Sequence, residues 1–287
     1  MLEHIKKYGS LFFISLLIVL VIFLFHLDFQ NSHRGLTFAM LDIGQGDALF
    51  IESPTGTQVL VDGGPPNKIL NQLRRVMSPF DRHIDAIIIT NPDQDHIAGF
   101  LDILKSYQVD RMFEPGTLND TKVFQNLKEK IKKKNMPDIL ARRGMRLDLG
   151  GGAVIDILFP DRDVTDWATN DGSVVARLSY GKTAVMLTGD APIKAENIIL
   201  SENSQEKLQS VILKVGHHGS RTSTSASFVR ALAPSYALIS DGKNNKYGHP
   251  HQETLNTLAQ LGVKVLRTDE LGTIVFTCDR IQTCEIN

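Results

Sequence analysis

Acidic and histidine residues cluster at three places in the sequence, each directly after an apolar run that predicts a buried strand. Asp93, Asp95 and His96 lie in the turn TNPDQDHIAG, which follows the run DAIIIT. Asp190 follows TAVMLTG, and a pair of adjacent histidines follows VILKVG. Open α/β sheets bind their ligands at the carboxyl ends of strands, and carboxylates and imidazoles are common ligands of divalent metals. The spacing therefore predicts a metal centre to which several strands contribute.

Some of these clusters also have a plainer interpretation. A single aspartate after a strand is often the N-cap of the next helix, and Pro192 begins a helical pattern just after Asp190. The acidic turn could be an ordinary polar loop, although such a loop does not require Asp-x-Asp-His beside a buried strand. The histidine pair, His217 and His218, is framed by glycines, which favours a compact turn with close backbone access.

A fourth polar segment, KNNKYGHPH, occupies residues 243–251 after the strand-like run SYALIS. It is rich in hydrogen-bond donors and contains a tyrosine ring. This mixture suits a loop that contacts a phosphate-bearing or sugar-bearing substrate. A plain polar loop has the same composition, so both interpretations stay open at this point.

The elements that must position these clusters alternate between strands and helices. Strand-like runs begin with LTFAMLDI, DALFIES and TQVLVDGG, and DAIIIT is apolar throughout, as is typical of a strand buried on both faces. Helical spacing recurs near residues 67–77, 97–107, 121–134, 192–201, 224–233 and 252–261, and strands recur near 153–159, 173–179, 183–188, 210–215, 235–240, 263–267 and 272–277. This order favours an α/β fold with two sheets and helices outside them, a four-layer αββα sandwich over residues 36–287.

The composition is that of a globular protein. The chain has 287 residues, of which 42% are hydrophobic, and a formal net charge of −1. These values exclude a disordered, collagen-like or coiled-coil chain, and a nucleic-acid binder that depends on bulk positive charge. The basic run KEKIKKK (residues 128–134) is either the solvated face of an amphipathic helix or a nucleic-acid contact.

The N-terminus differs from the rest of the chain. Residues 11–25 are apolar apart from Ser15, and Lys6 and Lys7 precede them. This length fits a short transmembrane helix or the apolar part of a cleaved signal peptide. Because no cleavage site of the Ala-x-Ala type follows, we expect an uncleaved signal anchor over residues 11–27. A cleaved signal and a buried helix of a soluble protein are the alternatives.

An anchor of this kind would set the topology. The positive-inside rule places residues 1–10 in the cytoplasm, and the linker 28–35 then leads to a domain outside the cytoplasmic membrane. The protein would be a single-pass membrane protein. In an oxidising compartment Cys278 and Cys284, which lie in a C-terminal hairpin pattern, could form a cross-strand disulfide. Two free thiols are the alternative.

Seven motifs together resemble one family. LDIGQGDALFIESPTG, LVDGG, TNPDQDHIAG, LTGD, LKVGHHGS, KNNKYGHPH and RTDELGTI occur in that order between residues 36 and 277. They resemble the metallo-β-lactamase superfamily, and within it the extracytoplasmic hydrolase domain of ComEC-type DNA-uptake proteins. The multi-helix channel of that family has no counterpart here, so the resemblance is to the hydrolase domain alone on a single anchor.

The resemblance implies a set of metal ligands and their supports. The implied ligands are Asn91, Asp93, Asp95, His96, Asp190 and His217. Asp62 and His218 would lie behind the ligands and orient them. One departure concerns Asn91, because the superfamily usually has histidine at that position and an amide oxygen is a weaker ligand. The resemblance therefore implies one or two divalent ions. The carboxylates favour Mn²⁺ or Mg²⁺ and the histidines favour Zn²⁺, so Mn²⁺ or Zn²⁺ is expected.

The function implied by the resemblance is metal-dependent hydrolysis of a phosphodiester, with DNA as the polymer and a separate uptake channel protein as a possible partner. Asp95, Asp190, His249 and His251 would be the catalytic residues. The implied substrate contacts are Gln45, Asp47, Asn170, Ser220, Lys243, Asn245, Tyr247 and Arg267. Two alternatives remain: a hydrolase of another small ester or diester, and a binding domain whose catalysis is impaired because Asn91 replaces histidine.

Overall fold

The computed structural model describes residues 12–23, 35–281 and 284–286. Residues 12–23 form helix α1, whose side chains are exposed. Within the described residues, none of the helices has both the length and the apolar character needed to cross a membrane. The expected cytoplasmic segment 1–10, both ends of the expected anchor and almost all of the linker 28–35 lie outside the described residues.

The first sheet has eight strands. They are β1 (Leu36–Met40), β2 (Leu49–Glu52), β3 (Gln58–Val61), β5 (Ala86–Ile88), β7 (Met112–Glu114), β8 (Asp138–Leu140), β16 (Ile274–Cys278) and β17 (Glu285–Ile286). Their spatial order is β17-β16-β1-β2-β3-β5-β7-β8. Two short strands, β4 (His83–Ile84) and β6 (Gln108–Val109), pair separately beside it. From β3 to β8 the pairing is parallel, so the carboxyl ends of these strands share one edge.

The second sheet has seven strands. They are β9 (Arg146–Gly150), β10 (Ala153–Phe159), β11 (Val175–Tyr180), β12 (Thr183–Leu187), β13 (Ile212–Lys214), β14 (Tyr236–Ile239) and β15 (Lys264–Arg267). Their order is β15-β14-β13-β12-β11-β10-β9. The four strands from β12 to β15 are parallel. The loops that leave their carboxyl ends therefore lie next to one another.

Helices cover the outer face of each sheet. The first sheet carries α2 (Ile69–Val76), α3 (Gln94–Ile97), α4 (Phe100–Ser106) and α5 (Lys122–Lys133). The second carries α6 (Ile193–Glu202), α7 (Gln205–Leu208), α8 (Ala226–Leu232) and α9 (Gln252–Gln260), and the short helix α10 (Thr268–Leu271) follows β15.

Alternating side chains on the strands build three apolar layers. On β1, Phe38 packs between the two sheets whereas Ala39 packs against the helices of the first sheet. On β13, Ile212 faces the other sheet and Leu213 faces the helices of the second. Because successive side chains of a strand point to opposite faces, each sheet is buried on both sides. The predicted αββα arrangement is confirmed.

Several strands of the structure were not predicted from the sequence. β7, β8 and β9 lie in stretches where no strand was expected, and the side chains of β8 are mostly exposed. A three-residue edge strand is too short for alternation to show, so its pairing depends on the neighbouring strand. At the other end of the sheet, the predicted C-terminal hairpin is formed by β16 and β17, and the predicted disulfide joins Cys278 to Cys284.

Candidate metal centre

The site begins with an aspartate behind a histidine. Asp62 follows β3 with a positive φ of 58°. Its Oδ1 accepts a hydrogen bond of 2.8 Å from the backbone N–H of Thr90, and its Oδ2 accepts one of 2.9 Å from Nδ1 of His96. This carboxylate ties the end of β3 to the loop after β5. It also fixes the His96 ring so that Nε2 points away, toward Asp190 at 3.2 Å.

A second histidine is held in the same manner. His218 lies in the 3₁₀ turn Gly216–Gly219 after β13, and it has a positive φ of 53°. Its Nδ1 donates to the carbonyl of Ser240 at 3.1 Å. Its Nε2 therefore faces the other way, 3.5 Å from Oδ2 of Asp95 and 3.7 Å from Oδ1 of Asp190. Metal-ligating histidines are usually fixed by such a partner on the opposite nitrogen.

Asp190 reaches this point because of the glycine before it. Gly189 has a φ of 50°, and a Cβ at this position would lie 2.6 Å from Oγ1 of Thr90. Only glycine allows the turn after β12 to approach the loop after β5 so closely. The carboxylate of Asp190 consequently lies between the two histidine rings, near the floor of the cleft.

Four side chains thus form a group that we call the four-donor site: Asp95, His96, Asp190 and His218. Nε2 of both histidines and Oδ1 of Asp190 are buried and form no hydrogen bond. The distances of 3.2, 3.5 and 3.7 Å between their donor atoms are close to the spacing that a single ion requires. A tetrahedral ion with bonds of about 2.1 Å separates its donors by about 3.4 Å. The residues therefore fit one divalent ion.

The charges of the site agree with this geometry. Burial alone would lower the pKa of His96, but the carboxylates of Asp190 and Asp62 outweigh burial and hold it well above its usual value. Burial also favours a lower pKa for His218, but the charges of Asp190 and Asp47 outweigh burial and raise the pKa to about 10. Without a metal, protons on these two rings supply the positive charge. A bound ion would displace them.

The neighbouring part of the cleft, which we call the amide side, consists of Asn91, Asp93 and Asn170. Oδ1 of Asn91 accepts from the backbone N–H of Asp93 at 2.9 Å, and its Nδ2 donates to Oδ1 of Asn170 at 2.5 Å. The two carboxylate oxygens of Asp93 accept from Asn119 and Thr169, each at 3.0 Å. Hydrogen bonds within the protein therefore occupy the side chains of Asn91 and Asp93.

The adjacent histidine, His217, has a different position from the one expected. Its Nε2 is 3.8 Å from Oδ2 of Asp190, and its side chain is 27% exposed. Its Nδ1 lies 3.3 Å from the Oγ1 of Thr222. The sequence assigned the ligand role to His217 and the outer position to His218. In the structure the ring of His218 groups with Asp95 and His96, while His217 lines the same cleft, so we propose His218 as the ligand in its place.

The four-donor site opens into a small cleft of about 190 Å³. Its lining consists of Gln45, Asp93, Asp95, Asn170, Asp190, His217, His218, Tyr247 and His249. Tyr247 is 54% exposed and stacks on His249, with ring centroids 5.8 Å apart. Burial and the positive charge of His218 lower the pKa of His249 to about 4. His249 is therefore a neutral imidazole at neutral pH.

Two residues expected near the substrate form hydrogen bonds or ion pairs within the protein. Asn245 donates to Asp241 and to the carbonyl of His249, and it accepts the backbone N–H of His249, so it shapes the loop. Arg267 is paired with Asp269 through both carboxylate oxygens, at 2.9 and 2.7 Å. A phosphate would have to compete with that pair.

Other expected residues lie outside the cleft lining. Ser220 is 4% exposed, and its hydroxyl pairs with that of Thr222. His251 caps α9, and its Nδ1 accepts the backbone N–H of Arg221 at 3.1 Å, while its ring packs on His249. Lys243 is exposed on the loop, where its contact with a substrate stays a prediction.

Asp47 and Lys214 lie behind the site. Asp47 is fully buried, with Oδ1 at 3.5 Å from Nδ1 of His218, so it supports the site from within and does not reach the cleft. Lys214, also fully buried, pairs with Asp47, and sequence reasoning missed it. The signal was present: a lysine interrupts the otherwise apolar strand VILKVG. A charged residue in a buried strand requires a partner.

Comparisons with known proteins give the chain's relatives. The sequence profile of the metallo-beta-lactamase superfamily matches residues 41–240. ComE operon protein 3 of Bacillus subtilis is 34% identical over 83% of this chain and 32% of its own length. Recombination protein 2 of Haemophilus influenzae is 29% identical over 90% of this chain and 31% of its own length. The chain thus spans about a third of the length of these relatives.

A solved structure shows the same fold. CmlA, a diiron beta-hydroxylase from Streptomyces venezuelae, superposes with a TM-score of 0.57 at 13% sequence identity. The match covers 85% of this chain and 54% of that chain. At this level of identity the similarity concerns the fold alone.

Proposed function

Because the chain belongs to the metallo-β-lactamase superfamily, we propose that it is a metal-dependent phosphodiesterase that cleaves DNA outside the cytoplasmic membrane. The observation that carries this proposal is the four-donor site, in which Nε2 of His96, Nε2 of His218 and Oδ1 of Asp190 are buried without hydrogen bonds. The two Nε2 atoms lie 3.2 to 3.7 Å from carboxylate oxygens of Asp190 and Asp95. Such atoms are costly to bury unless a ligand satisfies them. Two carboxylates and two imidazoles suit Mn²⁺ or Zn²⁺.

We propose that Asp95, His96, Asp190 and His218 bind one divalent ion. When bound, such an ion polarises a phosphoryl oxygen and lowers the pKa of a water molecule toward neutrality. Asp62 and the carbonyl oxygen of Ser240 accept from Nδ1 of His96 and His218, so Nε2 of each ring faces the ion, and Asp47 lies behind His218 at 3.5 Å. The amide side orients the turn that carries Asp95 through the hydrogen bond from Asp93 to Asn91.

His249 is the proposed proton-transfer residue. It lines the cleft beside Asp190 and is neutral at neutral pH, because its pKa is lowered to about 4 by burial and by the charge of His218. A neutral imidazole accepts a proton, so His249 fits the removal of a proton from the attacking water better than donation to the leaving oxygen. His251 packs against its ring and supports it.

The proposed substrate contacts are the polar and aromatic groups at the mouth of the cleft. Gln45 and Asn170 line it, and Oε1 of Gln45 is buried with no hydrogen-bond partner. The exposed ring of Tyr247 can stack on a base, and Lys246 lies over the same ring at 5.1 Å. Stacking of this type tolerates any base, as a nuclease without sequence preference requires.

DNA is the proposed polymer because of the relatives. The competence protein ComA of Neisseria gonorrhoeae, with 39% identity over 39% of this chain, carries a name that refers to competence. We propose that the domain acts in DNA uptake, with a separate channel protein as a partner. The alternative is a hydrolase of another small ester or diester, which the modest cleft of about 190 Å³ would suit.

The proposed location is the outer side of the cytoplasmic membrane, with the apolar run 11–25 as a single-pass anchor. The disulfide between Cys278 and Cys284 supports this location, because disulfides persist mainly in oxidising compartments.

The test combines metal content with DNA cleavage. The purified chain is loaded with Mn²⁺ or Zn²⁺, its ions are counted, and single- and double-stranded DNA are incubated beside a small chromogenic phosphodiester. We expect one ion for each chain and DNA cleavage, reduced at least about 10³-fold in Asp190→Asn, because the ion contributes several kcal/mol to the transition state.

The control is Asp148→Asn, which alters an exposed aspartate on β9 outside the cleft and should leave both readouts unchanged. Cleavage of the small diester with DNA intact would favour the alternative hydrolase. Intact substrates with every metal would refute an enzymatic function and favour a binding domain.

A further inference from the structure

A buried lysine beside the metal centre takes no part in the proposed hydrolysis. Lys214 is the last residue of β13 and is fully buried. Its Nζ forms an ion pair with Oδ2 of Asp47, donates to the carbonyl oxygen of Gly189 at 2.8 Å and lies 3.9 Å from Oδ1 of Asp190. Within the part of the chain that the structure describes, no other lysine or arginine pairs with these two aspartates. An ammonium group is retained in a protein interior only where its partners compensate for lost hydration.

The partner of Lys214 faces the metal-binding histidines from behind. The two oxygens of the Asp47 carboxylate point in different directions. Oδ2 pairs with Lys214, whereas Oδ1 lies 3.5 Å from Nδ1 of His218. The backbone N–H of Asp47 also donates to the carbonyl oxygen of Asp95 at 3.3 Å. A displacement of Asp47 would therefore affect two proposed ligands: it would move the carboxylate behind His218 and the backbone of Asp95.

Lys214 also joins the two sheets at the site. Asp47 lies on the loop between β1 and β2 of the first sheet, and Gly189 lies on the turn after β12 of the second. The lysine side chain contacts both. The ligands come from the same two groups of loops, since Asp95 follows β5 whereas Asp190 and His218 follow β12 and β13.

We propose that Lys214 is a positioning residue of the metal centre, which acts through Asp47 to hold the imidazole of His218 with Nε2 toward the ion. The ammonium group fixes Oδ2 of Asp47, and this leaves Oδ1 directed at the back of the histidine ring. The mechanism depends on the four-donor site of the proposed function and is independent of DNA as the substrate.

Two simpler roles predict different results. If Lys214 acted only as a fixed positive charge near Asp190, its removal would relieve repulsion and strengthen cation binding. If Lys214 only packed the interior, its removal would lower thermal stability and leave the metal affinity of the folded protein unchanged. The positioning role alone predicts weaker binding by the folded protein. The direction of the change in affinity therefore separates the three roles.

The first variant is Lys214→Met in the full chain, which keeps the length of the side chain and removes its charge. We expect the Mn²⁺ affinity, measured by titration calorimetry on the folded protein, to fall about 10- to 100-fold, as is usual when a support of a metal ligand is lost. The visible absorption of the Co²⁺-loaded protein should change with it, since that spectrum reports ligand geometry. Lys182→Met, in the exposed turn between β11 and β12, is the matched control and should behave as the unaltered chain.

A double-mutant cycle tests the route through Asp47. Asp47→Asn and the double variant with Lys214→Met are measured in the same way. Because both positions act on the same ring, the double variant should bind Mn²⁺ about as weakly as the weaker-binding single variant. It also removes the ion pair as a unit, so it leaves no unpaired buried charge and remains measurable if a single variant does not fold.

Three results would overturn the proposal: unchanged or tighter Mn²⁺ binding by Lys214→Met, additive losses in the cycle, or a folded double variant with the affinity of the unaltered chain. These differ from a failure of the proposed function. If the unaltered chain bound no Mn²⁺ or Zn²⁺, the metal centre itself would be refuted. If it bound metal but left DNA intact, the measurements on Lys214 would still decide its role.

Discussion

The four-donor site and the amide side lie next to each other in one cleft, yet their polar atoms are used in opposite ways. In the four-donor site, Nε2 of His96, Nε2 of His218 and Oδ1 of Asp190 are buried without hydrogen bonds. On the amide side, Asn91 uses its oxygen on the backbone of Asp93 and its nitrogen on Asn170. One region is prepared for a ligand, and the other is satisfied by the protein itself.

This difference indicates which of the two regions binds an ion. Native proteins rarely bury polar atoms without partners, so a cluster of such atoms indicates a ligand. A residue whose hydrogen bonds are already complete must break them before it can bind a metal. The substitution of Asn91 for the usual histidine therefore does more than weaken one ligand, because it gives the amide side a structural role.

The strongest test of the comparison is the pH dependence of metal binding. Without metal, the pKa of His218 is raised to about 10, so this ring is protonated from pH 6 to pH 8, and the pKa of His96 is also held well above its usual value. An ion must displace the proton of each ring that carries one, and each displacement becomes tenfold easier for each unit of rising pH. We expect Mn²⁺ affinity to increase at least about tenfold per pH unit in this range, with release of the His218 proton and of any proton on His96.

Calorimetry in buffers with different ionisation enthalpies measures the released protons directly. Asn91→Ala should release the same number, because the amide of Asn91 does not titrate. If the unaltered chain released no protons on binding Mn²⁺, the rings of His96 and His218 would not be the metal ligands. The contrast between the four-donor site and the amide side would then be wrong.

A smaller effect is expected from Asp62→Asn, at the support of the four-donor site. The amide group would present N–H to Nδ1 of His96, which favours the tautomer that carries its proton on Nε2 and blocks the ion. We expect Mn²⁺ affinity at pH 7.5 to fall about 10- to 100-fold. Affinity equal to that of the unaltered chain would show that His96 does not depend on this carboxylate.

The smallest effect on metal binding is expected from Asn91→Ala, on the amide side. Loss of the hydrogen bonds to Asp93 and Asn170 should lower the free energy of unfolding by about 1 kcal/mol. The Mn²⁺ affinity should change less than about threefold, a difference of well under 1 kcal/mol. Urea denaturation measures the first quantity and calorimetry the second. A loss of affinity of tenfold or more would place Asn91 among the ligands.

Sequence patterns predicted the parts of the fold that depend on local periodicity. DAIIIT was expected to be buried on both faces, and in β5 Ile88 packs between the sheets while Ile87 packs against the helices. The helix predicted over residues 121–134 is α5. The three-residue strands β7 and β8 were missed, because they are too short for alternation to show and pair with strands far along the chain. β9 was missed although RLDLG alternates and pairs with the neighbouring strand β10.

Sequence also placed the acidic and histidine clusters at the ends of strands, and with them nearly all of the four-donor site. It could not distinguish His217 from His218. Both residues have a positive φ, of 48° and 53°. This backbone turn places the ring of His218 in the interior beside Asp190 and leaves the ring of His217 partly exposed. Adjacent residues in one motif look alike in sequence, whereas their side chains point in different directions in space.

The α/β architecture, the family and the chemical type of the site can be predicted without coordinates, because apolar periodicity and the residues at strand ends are local properties. Which donor atoms stay without hydrogen bonds depends on contacts between distant parts of the chain. Lys214 and Asp47 form a pair although they are separated by 167 positions in the sequence, and Asn91 and Asn170 are separated by 79 positions. Such contacts depend on how two sheets pack, and they determine whether a polar group is satisfied by the protein or left for a metal ion.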